Sequence, residues 1–115
     1  MKHLMILNDP PYGTERNYNA LRLARKLLDA GEEVRVFLIG DAAASAKAGQ
    51  KVPPGYYNLA DMLGGVIRRK GELAVCGTCI DARGIADTDL VPGAIRGSME
   101  ILTAWTQWAD KTLVF

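Results

Sequence analysis

The chain has 115 residues, a formal net charge of +1 and a hydrophobic content of 49%. That length suits one α/β domain over residues 1–115 and excludes two. The near-neutral charge excludes a long-range field that gathers nucleic acid, and no apolar run approaches the length of a membrane span.

Residues 4–7 form a short continuous apolar run, as expected of a strand covered on both faces. The run is too short for a signal peptide and meets Asn8-Asp9-Pro10-Pro11 at once, so the expected compartment is the cytoplasm. After the Pro-Pro-Tyr12-Gly13 loop, Thr14 is expected to cap a helix reaching residue 30, with Ala20, Leu21, Ala24, Leu27 and Leu28 at helical spacing and Gly31 as its stop. Residues 34–39 read as a second buried strand, and Asp41 as the cap of a short Ala-rich turn. A loop with Pro53-Pro54 follows. Asn58 then opens a helix whose stripe is Leu59, Met62, Leu63, Val66 and Ile67. Its basic end, Arg68-Arg69-Lys70, reads as a solvated terminus complementing the helix dipole.

Residues 72–76 are the third strand, residues 87–93 a loop with about one helical turn, and residues 94–97 a short fourth strand. Ser98 caps a last helix to about residue 109, and residues 112–115 close the chain as a strand. Strand and helix alternate throughout, so the expected fold is α/β: a mostly parallel sheet of about five strands with helices on both faces. The last helix carries two apolar stripes, one with Met99 and Leu102, the other with Ile101, Trp105 and Trp108. Either another subunit or a wide core face would cover the second.

In an open parallel sheet, ligands bind beyond the carboxyl ends of the strands. Asn8-Asp9, Gly40-Asp41 and Cys76-Gly77-Thr78-Cys79 are expected at that edge, with Tyr12, Tyr56 and Tyr57 walling a pocket or covering the sheet edge. Cys76 and Cys79 are the only cysteines. A thiol at a strand end, beneath a helix start, is well placed to ionise. The Gly77, Thr78 and Cys79 amides would favour the thiolate, Arg83 would add positive charge, and Asp9 and Asp41 would oppose it. The plain alternative is a small buried hydrophobe at a strand end. Cys79 is either a resolving thiol or a helix residue facing the pocket.

His3 lies at the far end of the first strand, as an ordinary surface or strand-start residue. It is no base for Cys76, so a Cys-His hydrolase is not expected. One cysteine pair and a distant histidine do not make a zinc site within one chain, and a metal would have to be shared between subunits. No phosphate-binding fingerprint is present, so no cofactor is expected.

The element Cys76-Gly-Thr-Cys79-Ile-Asp-Ala-Arg83-Gly84-Ile85 resembles the DsrE/DsrF-like family, whose relatives include the TusD sulfur carriers and the small YchN-like proteins. Leu7-Asn-Asp-Pro-Pro-Tyr-Gly-Thr14 with Asn17, the stretch from Gly40-Asp41 to Lys51, and the ending Ala109-Asp-Lys-Thr-Leu-Val-Phe115 extend the resemblance over nearly the whole chain. The resemblance implies a flavodoxin-like three-layer sandwich that assembles as a homotrimer or homohexamer. In the sulfur-carrier branch of the family, the resemblance implies, a cysteine at the position of Cys76 accepts persulfide sulfur and passes it on.

Three functions follow as expectations. The first is a sulfurtransferase-like carrier holding a persulfide on Cys76, with sulfur donor and acceptor proteins or small thiols as partners. The second is a dithiol redox protein or sensor cycling Cys76 and Cys79. The third is a non-enzymatic ligand-binding or scaffold subunit of an oligomer.

Overall fold

A computed structural model describes residues 1–115. Five strands form one all-parallel sheet: β1 (Lys2–Leu7), β2 (Glu33–Leu38), β3 (Glu72–Cys76), β4 (Ile95–Gly97) and β5 (Lys111–Val114). Their order across the sheet is β4-β3-β2-β1-β5. The helices are α1 (Arg16–Asp29), α2 (Leu59–Arg68), α3 (Gly77–Ala82) and α4 (Met99–Trp108), with 3-10 turns at Gly40–Ala46 and Asp87–Asp89. The architecture is the expected three-layer α/β fold.

The period-two alternation of the strands sorts side chains into two cores. Met5, Leu7, Val36, Leu38, Leu73 and Val75 face α1 and α2 in the larger one. Leu4, Phe37, Ala74 and Cys76 face the other way, onto Trp105 of α4. Phe37 and Trp105 meet edge to face, ring centroids 6.2 Å apart. Of the two aromatic residues assigned to one stripe of α4, only Trp105 is buried. Trp108 stays half-exposed, with the Arg35 guanidinium 4.0 Å from its ring centroid. Met99, on the other stripe, is largely exposed, so the core face of α4 is narrow.

Local signals explain most element ends. Asn58 and Ser98 accept hydrogen bonds from the Asp61 and Ile101 amides and so cap α2 and α4, as expected. Gly31 adopts φ +85 just past α1, the left-handed turn that glycine makes without strain. Two expected caps are corrected. Glu15, not Thr14, is the N-cap position of α1; Thr14 lies one residue earlier, where its hydroxyl donates to the Asp9 carboxylate at 2.5 Å and its oxygen accepts from the Arg16 amide at 3.2 Å. Asp41 does not cap the Ala-rich turn: it is the second residue of that turn, whose N-cap position is Ile39, and its carboxylate bonds Arg83.

His3 lies at the start of β1, one of its two expected placements. It is buried, not a surface residue: β1 is flanked by β2 and β5, and strand alternation turns His3 to the same face as Met5 and Leu7. Its Nδ1 has no hydrogen-bond partner. No helix is long and apolar enough to cross a membrane.

Candidate functional site

β3 ends at Cys76, and α3 begins at the next residue, so Cys76 is the N-cap of α3. Strand alternation turns its side chain toward the α4 face of the sheet. There it lines a cleft of about 360 Å³, shared with Gly77 and Thr78 and bounded opposite by Arg96, Gly97 and the first residues of α4. Cys76 is only 7% exposed, so solvent reaches it narrowly. The Thr78 hydroxyl lies 3.5 Å from its sulfur.

Cys79 sits one turn along α3, with its Cα 5.2 Å from that of Cys76, and the two sulfurs are joined as a disulfide. That separation lies in the usual range for a bridge, and a CxxC pair attains it where a helix starts between the cysteines. The Cys79 sulfur also accepts a hydrogen bond from the Gly40 amide at 3.2 Å. The expected amide cradle beneath Cys76 is not formed in this disulfide state: its side chain accepts no capping hydrogen bond from the turn Gly77-Thr78-Cys79.

Arg83 and Asp41, both placed at this edge by the sequence, come together. Arg83 bonds the Asp41 carboxylate at 2.5 Å and the Cys79 carbonyl at 3.0 Å. Its charge is therefore spent on tying α3 to the turn after β2, and it does not act as a free cation beside Cys76.

Arg96 was not singled out by the sequence, yet it is the cation at the cleft. It makes a two-pronged pair with Asp81 at 2.6 and 3.1 Å and a further bond to Asp87 at 2.9 Å. These carboxylates hold the guanidinium above its ordinary pKa, and the hydrogen bonds from Arg96 hold Asp81 below the usual aspartate value. The cluster locks α3, the turn at Asp87–Asp89 and β4 together around the cysteine pair.

Asn8, Asp9 and Tyr12 lie at the same sheet edge but do not line the Cys76 cleft, since β2 separates β1 from β3. The Asn8 amide donates to the Phe115 carbonyl at 3.0 Å. The Asp9 carbonyl accepts from the buried Asn17 side chain at 2.7 Å. The Tyr12 hydroxyl joins Gln50 and accepts from the Leu59 amide at 3.1 Å. Tyr57 stacks with Tyr18 at 4.2 Å, so these loop tyrosines brace α1 against α2 rather than wall the cysteines. No group of three or more His, Cys, Asp or Glu side chains is placed to hold a metal ion.

A doubly covered parallel sheet with a cysteine pair at the carboxyl end of its third strand defines a small thiol-bearing α/β protein. The model of the DsrE/DsrF-like family matches residues 1–115, and the chain belongs to that family. It is 37% identical to Protein YchN of Escherichia coli K12 over 116 residues, covering 99% of this chain and 98% of YchN. It is 36% identical over 111 residues to Uncharacterized protein MK0008 of Methanopyrus kandleri, covering 96% of this chain and 91% of that protein. The crystal structure of ychN protein from E. coli superposes with a TM-score of 0.93 at 37% identity, covering 100% of this chain and 99% of that one.

Proposed function

We propose that this chain is a sulfur-handling protein in which Cys76 accepts and releases a persulfide sulfur and Cys79 is the resolving thiol. The observation that carries this reading is the division of labour between the cysteines: Cys76 lines the cleft, while Cys79 lies within bonding reach behind it. In the loading step the Cys76 thiolate attacks the outer sulfur of a donor persulfide, forms a new S–S bond and expels the donor thiolate. An acceptor thiolate then attacks that outer sulfur and regenerates the Cys76 thiolate. If Cys79 attacks first, at the Cys76 sulfur, hydrosulfide leaves and the intrachain disulfide remains. A dithiol must then reduce the pair before another cycle.

Family membership supports sulfur chemistry, and the absence of an adjacent histidine is no obstacle, since thiol exchange needs a thiolate and access. The start of α4 borders the cleft, and its dipole favours an anionic sulfur there. The cytoplasm suits this chemistry because thiols stay reduced there. Donor and acceptor proteins or small thiols are the partners. Ile95, Met99 and Val114, all exposed, give apolar surface for a homotrimer or homohexamer.

The test is intact-mass measurement after the reduced protein meets a persulfide donor. The wild type gains one sulfur transiently, Cys79→Ser keeps it longer, and Cys76→Ser gains none at the site. Equal loading of Cys76→Ser overturns the reading. The disulfide itself favours a second reading, a dithiol redox protein or sensor. A Cys79→Ala protein trapped as a mixed disulfide with a partner thiol, with no sulfur loading of the wild type, would select it.

A further inference from the structure

A second concave site lies on the other face of the sheet. α1 and α2 run side by side in the same direction: Tyr18 meets Tyr57 at their amino ends, and Arg69 meets Asp29 at 3.0 Å at their carboxyl ends. Between them is a cleft of about 560 Å³, within the range of small-molecule sites. It is far from neutral. Arg22, Arg25, Arg68 and Arg69 line it against one lining carboxylate, Asp61, in a chain whose net charge is only +1.

These arginines are under-paired. Arg25 and Arg69 share the single carboxylate of Asp29. Arg22 bonds only the Asn19 amide oxygen, at 3.1 Å, and its guanidinium lies 5.4 Å from the Tyr18 ring centroid. Arg68 has no carboxylate or carbonyl partner at all. Nor does it reach the helix end that its sequence position suggests. It folds back over Gly64, where a Cβ would stand 3.1 Å from its Nη1, and a Cβ on Gly65 would stand 3.3 Å from Nη1 of Arg69. Two glycines inside a helix cost about 1 kcal/mol each relative to alanine. Here they leave room for the Arg68 and Arg69 guanidiniums to come close to the helix backbone.

The opposite end of the cleft is aromatic. Tyr56 is 72% exposed and Tyr57 stands behind it in the stack with Tyr18. Burial keeps the Tyr57 hydroxyl above the usual tyrosine pKa, so the ring stays neutral. From Tyr18 to Arg25 the helix rises about 10 Å. A ring can therefore rest at the tyrosine end while an anionic group reaches the guanidiniums, which match phosphate oxygens in a planar fork.

We infer that the α1–α2 cleft binds a nucleoside phosphate, with its base against Tyr56 and its phosphates on Arg22, Arg25 and Arg68. The site uses side chains rather than a glycine-rich loop, so it leaves no phosphate-binding fingerprint in the sequence. It is independent of the cysteine pair, which lies on the other face.

Calorimetric titration of the full chain with ADP, adenosine and inorganic phosphate tests it. ADP is expected to bind with one-site stoichiometry, at least roughly tenfold tighter than either fragment. The Arg22→Gln/Arg68→Gln protein is expected to lose ADP affinity by at least roughly tenfold while unfolding at an unchanged denaturant midpoint. Cys76→Ser is expected to bind like the wild type. No saturation by millimolar ADP, or undiminished affinity in the double variant, overturns the inference. So does phosphate binding as tightly as ADP, which would leave a simple anion site, or tighter binding of single-stranded RNA than of ADP.

Discussion

A Cβ placed on Gly77 would stand 2.6 Å from Nε of Arg96, closer than side-chain atoms come. The arginine cannot swing away freely, because Asp81 and Asp87 both hold it. Gly77→Ala is therefore expected to destabilise the chain by about 1–3 kcal/mol through overpacking. In an Arg96→Ala background the same change should be neutral or slightly stabilising, since the clash is gone and Gly77, the first residue of α3, has no positive φ that needs glycine. Urea unfolding of the four proteins in this double-mutant cycle measures the sign change.

The same cluster sets a pH dependence. Asp81 titrates lower in the folded chain than in the unfolded one because Arg96 donates to it. Its contribution is thus present above the ordinary aspartate value near pH ~4 and is lost as pH falls through the folded value. Asp81→Asn should flatten the fall of the urea midpoint between neutral and strongly acidic pH. An unchanged slope would show that other carboxylates carry the acid sensitivity.

Trp105 is the main large side chain closing the α4 face over Leu4, Phe37, Ala74 and Cys76. Trp105→Ala should cost about 3–5 kcal/mol. It should also raise the alkylation rate of reduced Cys76, because the lid over that core is gone. Chemical denaturation and peptide-mapped labelling read the two effects separately.

Arg83 is expected to matter little for reactivity. Its pair with Asp41 is partly exposed, and such pairs contribute about 0–1 kcal/mol. Arg83→Gln should change the Cys76 alkylation rate by less than about fivefold, because its guanidinium is held by Asp41 and the Cys79 carbonyl and makes no contact with the Cys76 sulfur. A larger drop would restore Arg83 as an electrostatic activator of the thiolate.

Much of this layout was legible because local signals and tertiary structure agree. The span of β3, the capping roles of Asn58 and Ser98 and the start of α3 at the cysteine motif all follow from patterns a few residues long. Arg96 was not legible. It sits in a three-residue strand, and its partners Asp81 and Asp87 are 15 and 9 residues away. Only the pairing of β4 with β3, Cys76 opposite Gly97, brings it to the cysteines. The one usable hint was an arginine beside Gly97 in the short strand expected over residues 94–97.

Burial of His3 was hidden for a similar reason: the sequence did not say that β5 would join β1. Asn8, Asp9 and Tyr12 were placed at the correct edge but not in the Cys76 cleft, because strand order rather than strand end decides which loops meet.

The most direct test of the account is peptide mapping of the reduced chain after brief exposure to a persulfide donor, followed by addition of an acceptor thiol. The account predicts the added sulfur on Cys76, its disappearance when the acceptor is supplied, and Cys76–Cys79 disulfide accumulating when it is withheld. Sulfur found on Cys79 with Cys76 unmodified, or loading at Cys76 that no acceptor can discharge, would contradict it.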